Sequence, residues 1–441
     1  MQFITSNDVL IRIRQIFSQY KIPILYSGGS FAKAFAQMIV GFVIAKFIAP
    51  NDLGLWATIN LALTYSVFLQ AGLINGLNLE LPFAYGKGDD EEAKNMAGTV
   101  QTFTFFSSVL VLIAGIVVFS LANTQGEKIR FGILAVTIII SFSYYQNYLL
   151  STFRSKNSFS KLSIIQFADA FVNILTLFFV AYYSFYGMLI KAVIVAANYV
   201  FLLHLTRPIK VKLIWKNSAI IRLLKIGLPI WGLVYLDSFS STVDKLWLLK
   251  YTDFTNVGLY SFGLYTLTTF SLLSQSIASY IYPRMTYNYG KNNDKRILWN
   301  YVKSITKVLF IGQMGLAVLG YFVIPHLVAA YFPNYILSIS AMQILLFAGV
   351  FKGSVIGVNA LWSIKDWKYM ITYQVIYSVL LIGLPFIGIH LMANKIIGVA
   401  FGVLSANFLN LISGLYLTYK ATSEVKSNIA CENLLQSQAS K

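Results

Sequence analysis

The chain has 441 residues, of which 57% are hydrophobic and 11% charged, with a formal net charge of +18 and a mean hydropathy of +0.68. Soluble globular domains carry roughly 25% charged residues, so that class is excluded. The apolar residues run in stretches of about 20 or more, long enough to cross a bilayer as helices, and not in the ~10-residue alternations of a transmembrane barrel.

In chain order, residues 1–22 read as a cytoplasmic amphipathic segment lying on the membrane surface. Its apolar positions Leu10, Ile13 and Phe17 are interrupted by Arg12 and Arg14, which does not fit a signal peptide. Six spans follow at 27–48, 55–81, 96–122, 131–153, 162–186 and 188–205, the fifth and sixth separated only by Tyr186-Gly187. A basic linker, 207–225, precedes six more at 226–249, 258–282, 302–324, 336–362, 370–392 and 396–419, and a polar cytoplasmic tail, 421–441, closes the chain. The expected fold is all-α and polytopic, with about 12 transmembrane helices in two parallel six-helix lobes, 23–206 and 226–420, around a central cavity.

Of the 34 basic residues, 25 fall on one side of this layout, six on the other (Lys46, Lys128, Arg130, Lys191, Lys250 and Lys395), and Lys33, Lys245 and Lys352 fall inside spans. The positive-inside rule makes the crowded side, with both termini, cytoplasmic. Because the basic residues flank spans and do not share one soluble face, the net charge indicates membrane topology and not a nucleic-acid partner.

The region from Lys46 to Asp90 recurs 204 positions later without a gap: Lys46, Gly54, Leu55, Thr64, Tyr85, Gly86, Lys87 and Asp90 match Lys250, Gly258, Leu259, Thr268, Tyr289, Gly290, Lys291 and Asp294. A duplicated pair of membrane-crossing elements points to a transporter built from two halves.

Charges at bilayer depth cost at least ~2.5–3.5 kcal/mol each, so they face a cavity or a partner. Span 1 carries Lys33 with Ser30 and Gln37; span 7 carries Asp237, Ser241, Asp244 and Lys245. Spans 2 and 8 are also polar, through Asn60, Thr64, Gln70, Asn75 and Asn78 in one and Thr268, Thr269, Ser271 and Gln275 in the other. These four spans are expected to line the cavity. Asp244 and Lys245 could instead neutralise one another, and Lys33 could snorkel towards the cytoplasm. Gln166, Asp169, Asn173 and Thr176 stripe span 5, Lys352 and Asn359 lie seven apart on span 10, and Glu80 and Arg284 sit at helix ends as gating or interfacial residues.

Enzyme and cofactor signatures are missing. There is no P-loop, no dinucleotide fingerprint and no paired-cysteine spacing; Cys431 is the single cysteine, and the three histidines are scattered. The expectation is no catalytic residue, no metal, no cofactor, and transport driven by a gradient and not by ATP.

The Pro50-Asn-Asp-Leu-Gly-Leu-Trp56 link, followed by a polar second span ending in Tyr85-Gly-Lys87, resembles the polysaccharide-transport flippases of the multidrug/oligosaccharidyl-lipid/polysaccharide (MOP) exporter superfamily. The resemblance covers essentially the whole chain. It implies a flippase moving undecaprenyl-diphosphate-linked oligosaccharide repeat units of O-antigen or capsule across the bacterial inner membrane by alternating access. Partners would be that lipid-linked oligosaccharide, membrane lipid, and a polysaccharide polymerase with its chain-length regulator. Cavity cations engage the diphosphate in such proteins, and Lys33, Lys245 and Lys352 fit by position. Gln37, Asn60, Thr64, Gln70, Asn75, Ser241, Thr268 and Gln275 would meet sugars, and Asp237, Asp244 and Asp169 would couple an ion. Two alternatives stay open: a multidrug or cation antiporter of the same superfamily, and a membrane glycan polymerase or ligase. The latter is disfavoured by the lack of a large external loop.

Overall fold

The computed structural model describes residues 28–124, 126–292, 295–364 and 366–423, apart from the side chains of a number of residues in 273–294 and 356–365. The amphipathic segment 1–22, Cys431 and most of the polar tail lie outside these residues, as do the side chains of Gln275, Arg284 and Asn359.

The described residues form helices joined by short turns: α1 (Gly28–Phe47), α2 (Pro50–Ile59), α3 (Leu61–Ser66), α4 (Leu73–Gly86), α5 (Asp90–Leu121), α6 (Glu127–Ser155), α7 (Phe159–Leu175) and α8 (Leu177–Leu205). There follow α9 (Asn217–Ser240), α10 (Val243–Tyr251), α11 (Phe254–Asn292), α12 (Lys295–Tyr331), α13 (Ile339–Ser354), α14 (Asn359–Ile364), α15 (Trp367–Leu391) and α16 (Lys395–Ser423). Local chemistry starts several of them. Pro50 opens α2, where its missing N–H costs nothing. The Asp89 carboxylate accepts from the Glu92 N–H at 3.0 Å ahead of an acidic first turn in α5. Asp253 does the same for α11, accepting from the Asn256 N–H at 2.8 Å.

Among the described residues, 10 helical stretches are long and apolar enough to cross a membrane, and the protein is a multi-pass membrane protein. The sequence reading has two more. Span 5 corresponds to α7, of 17 residues, continued into the first turns of α8. Its reversal lies at Ser184 (φ 45°), two residues before the expected Tyr186-Gly187, and Gly187 lets the returning chain approach the Phe179 carbonyl. Span 8 is α11, which has the length, at 39 residues, but is too polar to count. The expected linker is partly helical, since α9 starts at Asn217, and its Ile209 and Leu223 are buried.

Among the described residues, spans 2 and 7 are interrupted, as is span 10 by a 3₁₀ turn at Val355–Val358. Span 2 runs through α2, α3 and a 3₁₀ turn (Val67–Gln70), then reverses locally at Ala71 (φ 46°) and Gly72 (φ 83°) before α4. Span 7 breaks between α9 and α10 at Ser241-Thr242.

The chain divides into two compact units that do not coincide with the two sequence halves. The first holds residues 28–40 and Ser66–Gly232; the second holds Gly41–Tyr65 and residues 233–423. Thus α2 and α3 belong with the second unit, and most of α9 belongs with the first.

Within the first unit, α5 lies along α6, α6 along α8, and α4 against α5 and α6. Ser108 and Ser141 exchange hydroxyl-to-carbonyl bonds of 2.8 and 3.1 Å across α5 and α6, the polar glue expected where lipid supplies no hydrophobic drive. A core of Leu77, Leu81, Val100, Tyr148, Phe153 and Leu223 ties α9 to α4, α5 and α6. Gly76 makes room for the Leu223 carbonyl, and Gly72 and Gly227 meet backbone to backbone.

In the second unit, α11 packs on α2 and α13, and α15 pairs with α16. The α2–α11 crossing brings the duplicated motif against itself. A Cβ built on Gly54 overlaps the Phe254 carbonyl and lies 2.7 Å from the Gly258 nitrogen. One built on Gly258 overlaps the Pro50 carbonyl and lies 2.9 Å from the Gly54 nitrogen. Pro50 matches Phe254 as Gly54 matches Gly258, so the contact is reciprocal.

Replacing Gly54 or Gly258 by Val therefore forces backbone apart and is expected to cost about 3 kcal/mol, the upper end of overpacking. Thermal unfolding in detergent should show a lowered Tm for both. Gly312→Ala on α12, where nothing lies within 4 Å of the new methyl, should be unchanged.

Candidate functional site

The residues singled out by sequence are divided between the two units. Lys33, Gln37, Gln70, Asn75, Glu80 and Asp169 belong to the first; Asn60, Thr64, Asp237, Ser241, Asp244, Lys245, Thr268 and Lys352 belong to the second.

In the first unit, α1, α7 and α8 build a buried charged cluster. Lys33 Nζ lies 2.9 Å from Asp169 Oδ2, with the lysine side chain 21% exposed and the carboxylate 1%. The same ammonium sits 3.3 Å from the centre of the Tyr199 ring, a cation–π contact that covers its other side. Lys191 is buried, donates to Asn173 Oδ1 and interacts electrostatically with Asp169. Ser30 donates to Gln166 at 3.3 Å beside it. Close approach of α1 and α7 is possible because Gly29 faces Ser163, leaving no space for a side chain.

The structure thus joins Lys33, read as a diphosphate ligand, to Asp169, read as an ion-coupling carboxylate. The pair holds one positive and one negative charge, and Lys191 adds a second positive charge. Sequence reasoning placed Lys191 among the flanking basic residues because it follows the Tyr186-Gly187 pair. With the reversal at Ser184, seven residues of helix carry it roughly 10 Å inward. Its signal was the polar stripe of Asp169 and Asn173 on the preceding span, which needs a cationic partner.

Elsewhere in this unit, Gln70 is buried and accepts from Asn147 at 3.4 Å, so its role is interhelical. Gln37 is exposed and Asn75 half-buried. Glu80 pairs with Arg222 at 2.5 Å, and Arg222 also binds Glu92, which clamps α9 to α4 and α5. Glu80 is therefore an ion-pair residue within α4 (Leu73–Gly86), and not at a helix end as the sequence reading expects.

In the second unit, Asp244 is buried at the start of α10, accepting from Tyr260 Oη at 2.5 Å and from the Lys245 N–H at 2.8 Å. Asp237 is exposed and accepts from Gln374 Nε2 at 3.0 Å; Gln374 in turn reaches Ser378, which meets Ser240 at 3.2 Å. Lys352, half-buried on α13, interacts electrostatically with both aspartates. Asp237 also lines a groove of about 190 Å³ with Leu233, Met370, Tyr373 and Gln374. Ser241 and Thr268 are exposed, though the Ser241 hydroxyl donates to the Ser238 carbonyl of α9 and the Thr268 hydroxyl to the Tyr265 carbonyl of α11; Asn60, Thr64 and Lys245 are half-buried. No group of three or more histidine, cysteine, aspartate or glutamate residues able to hold a metal ion occurs among the described residues.

No protein-family model matches the chain, and no curated protein matches it in sequence. Solved structures do. An inward-facing multidrug resistance MATE family transporter of the MOP superfamily superposes with a TM-score of 0.70 at 16% identity, over 92% of this chain and 95% of its own. The lipid II flippase MurJ in an inward closed conformation gives 0.67 at 14% identity, over 89% and 87%. A MATE transporter of Vibrio cholerae in its bent form gives 0.60 at 16% identity, over 92% and 98%. The chain has the fold of these transporters. They include a multidrug resistance transporter and a lipid II flippase, so one fold serves both.

Lys33→Ala leaves Asp169 buried without its partner and is expected to destabilise the protein by about 3 kcal/mol. That is the lower end for a broken buried pair, because Lys191 remains within electrostatic reach. Adding Asp169→Asn should recover most of the loss in the same thermal assay. Equal instability of the single and double variants would show that the ion pair does not hold this cluster.

Proposed function

We propose that the chain is a secondary transporter and not an enzyme, and that it flips undecaprenyl-diphosphate-linked oligosaccharide from the cytoplasmic to the outer leaflet of a bacterial inner membrane. The observation that carries the reading is the charge of the first-unit cluster. Lys33 pairs with the Asp169 carboxylate, Lys191 bonds to Asn173 within electrostatic reach of the same carboxylate, and Lys33 keeps part of its surface open. A centre with excess positive charge suits a diphosphate and repels a cationic drug. Lysine rather than arginine recognises phosphate as a point charge, without the bidentate fork, consistent with a mobile head group that must be released. The shared fold with a lipid-linked precursor flippase supports the same reading. In the second unit Asp237 is the carboxylate better placed to carry a coupling cation, since Asp244 is buried and hydrogen-bonded to Tyr260.

One observation favours a second reading. The groove beside Asp237 sets an exposed carboxylate among Tyr373 and apolar side chains, which suits a cationic amphiphile. The fold of multidrug transporters is equally consistent with that.

Reconstitution separates the two. Proteoliposomes holding the chain should translocate a fluorescent isoprenyl-diphosphate oligosaccharide and leave ethidium outside. The Lys33→Ala/Asp169→Asn variant, folded but without the partly exposed Lys33 ammonium, should lose flipping by about tenfold or more, as expected for removal of a charge-assisted phosphate contact. Ethidium uptake that depends on Asp237, with no flipping, would establish the second reading and overturn the first.

A further inference from the structure

The outward faces of α6 and α8 form an apolar groove of about 410 Å³ in the first unit. Phe131, Leu134 and Ile138 line it from α6, and Tyr186, Ile190 and Val193 line it from α8. These positions recur every three or four residues, so the groove runs along both helices from their Phe131/Tyr186 end for about two turns, roughly 10 Å. The two rings at its mouth meet edge to face at 5.9 Å.

The charges at that mouth are unusual for the side on which they lie. Lys128 and Arg130 are two of the six basic residues on the sparsely charged side of the chain. Lys128 Nζ lies 5.7 Å from the Phe185 ring, next to Tyr186. Arg130 stacks on Phe119 at 4.6 Å and donates through Nε to the Phe119 carbonyl at 3.4 Å. That is the guanidinium's one hydrogen bond among the described residues, which leaves its terminal nitrogens to donate to a ligand. Glu127 offsets one of the two charges, and the mouth stays net positive. The first turn of α6, on which both cations stand, has no side-chain cap, which adds its dipole to the attraction for an anion.

A short apolar slot with a cationic rim, opening directly onto hydrocarbon, fits one kind of occupant. We propose that this groove is a binding site for an anionic, phosphate-headed bilayer lipid, with one acyl chain lying between α6 and α8 and the phosphate held by Lys128 and Arg130. The lipid is a resident ligand and not the transported molecule: apart from the Tyr186 hydroxyl, the slot is lined by no polar group that would hold a sugar. The inference does not depend on which substrate the protein carries.

Native mass spectrometry of the full chain tests it, with phosphatidylglycerol and phosphatidylcholine of identical acyl chains as probes. Phosphatidylglycerol should be retained preferentially, by about fivefold for each basic residue engaged. Lys128→Gln/Arg130→Gln should abolish that preference while leaving phosphatidylcholine binding as it was. Ile190→Trp, at an exposed position that fills the slot, should lower retention of both lipids. Each variant is checked for an unchanged Tm first. Equal retention of the two lipids by the native chain would overturn the proposal. So would a preference that survives the double substitution, or stronger retention of an isoprenyl diphosphate than of phosphatidylglycerol.

Discussion

Hydrocarbon offers no partner to a polar atom, and the shape of this chain follows from meeting that shortage. Every break in a span exposes carbonyls, and here side chains from the same neighbourhood cover them. At the break in span 2, Tyr144 Oη donates to the Ser66 carbonyl at 2.5 Å. At the break in span 7, the hydroxyls of Ser240, Ser241 and Thr242 return to carbonyls between Leu236 and Phe239, and Tyr65 meets Thr242 at 3.0 Å. A serine-threonine run that looks like cavity lining in the sequence is, in part, backbone repair. The same shortage fixes Lys33, Asp169 and Lys191 as one cluster, because none of them is tolerable alone at that depth.

The division into units sharpens the contrast between the two candidate sites. Three crossings of the chain between units fall inside spans 1, 2 and 7, not in loops. Span 2 changes units between Tyr65 and Ser66, just before the 3₁₀ turn and the left-handed pair at Ala71-Gly72. Span 7 changes units at Gly232, where nothing crowds the backbone. The helices that carry most of the intramembrane charge are thus the ones shared between units. One unit holds an excess of lysine and the other an exposed aspartate.

Much of this was legible beforehand. Apolar stretches gave the positions of the helices, although α9, α11 and α12 run well beyond the expected spans where their ends turn polar, and the intramembrane charges marked the elements that build both sites. Pairings were not legible, because Lys33 and Asp169 lie 136 positions apart and nothing in either local pattern names the other. The reversal at Ser184 was missed for a related reason. A serine in the left-handed region carries no local signature, while the adjacent Tyr186-Gly187 looks like the turn; Gly187 is needed instead for close approach to Phe179. The basic linker is held down by Ile209 and Leu223, whose apolar character is diluted by the surrounding basic residues.

The reciprocal crossing of Gly54 and Gly258 has a genetic consequence. Each glycine is confined by main-chain atoms of the other copy, and main-chain atoms cannot be shortened by mutation. A bulky change at either position therefore has no second-site suppressor within the contact itself. The two positions, separated when the ancestral unit doubled, are again bound to a single fate: whatever the rest of each copy has become free to explore, this pair can only be inherited together.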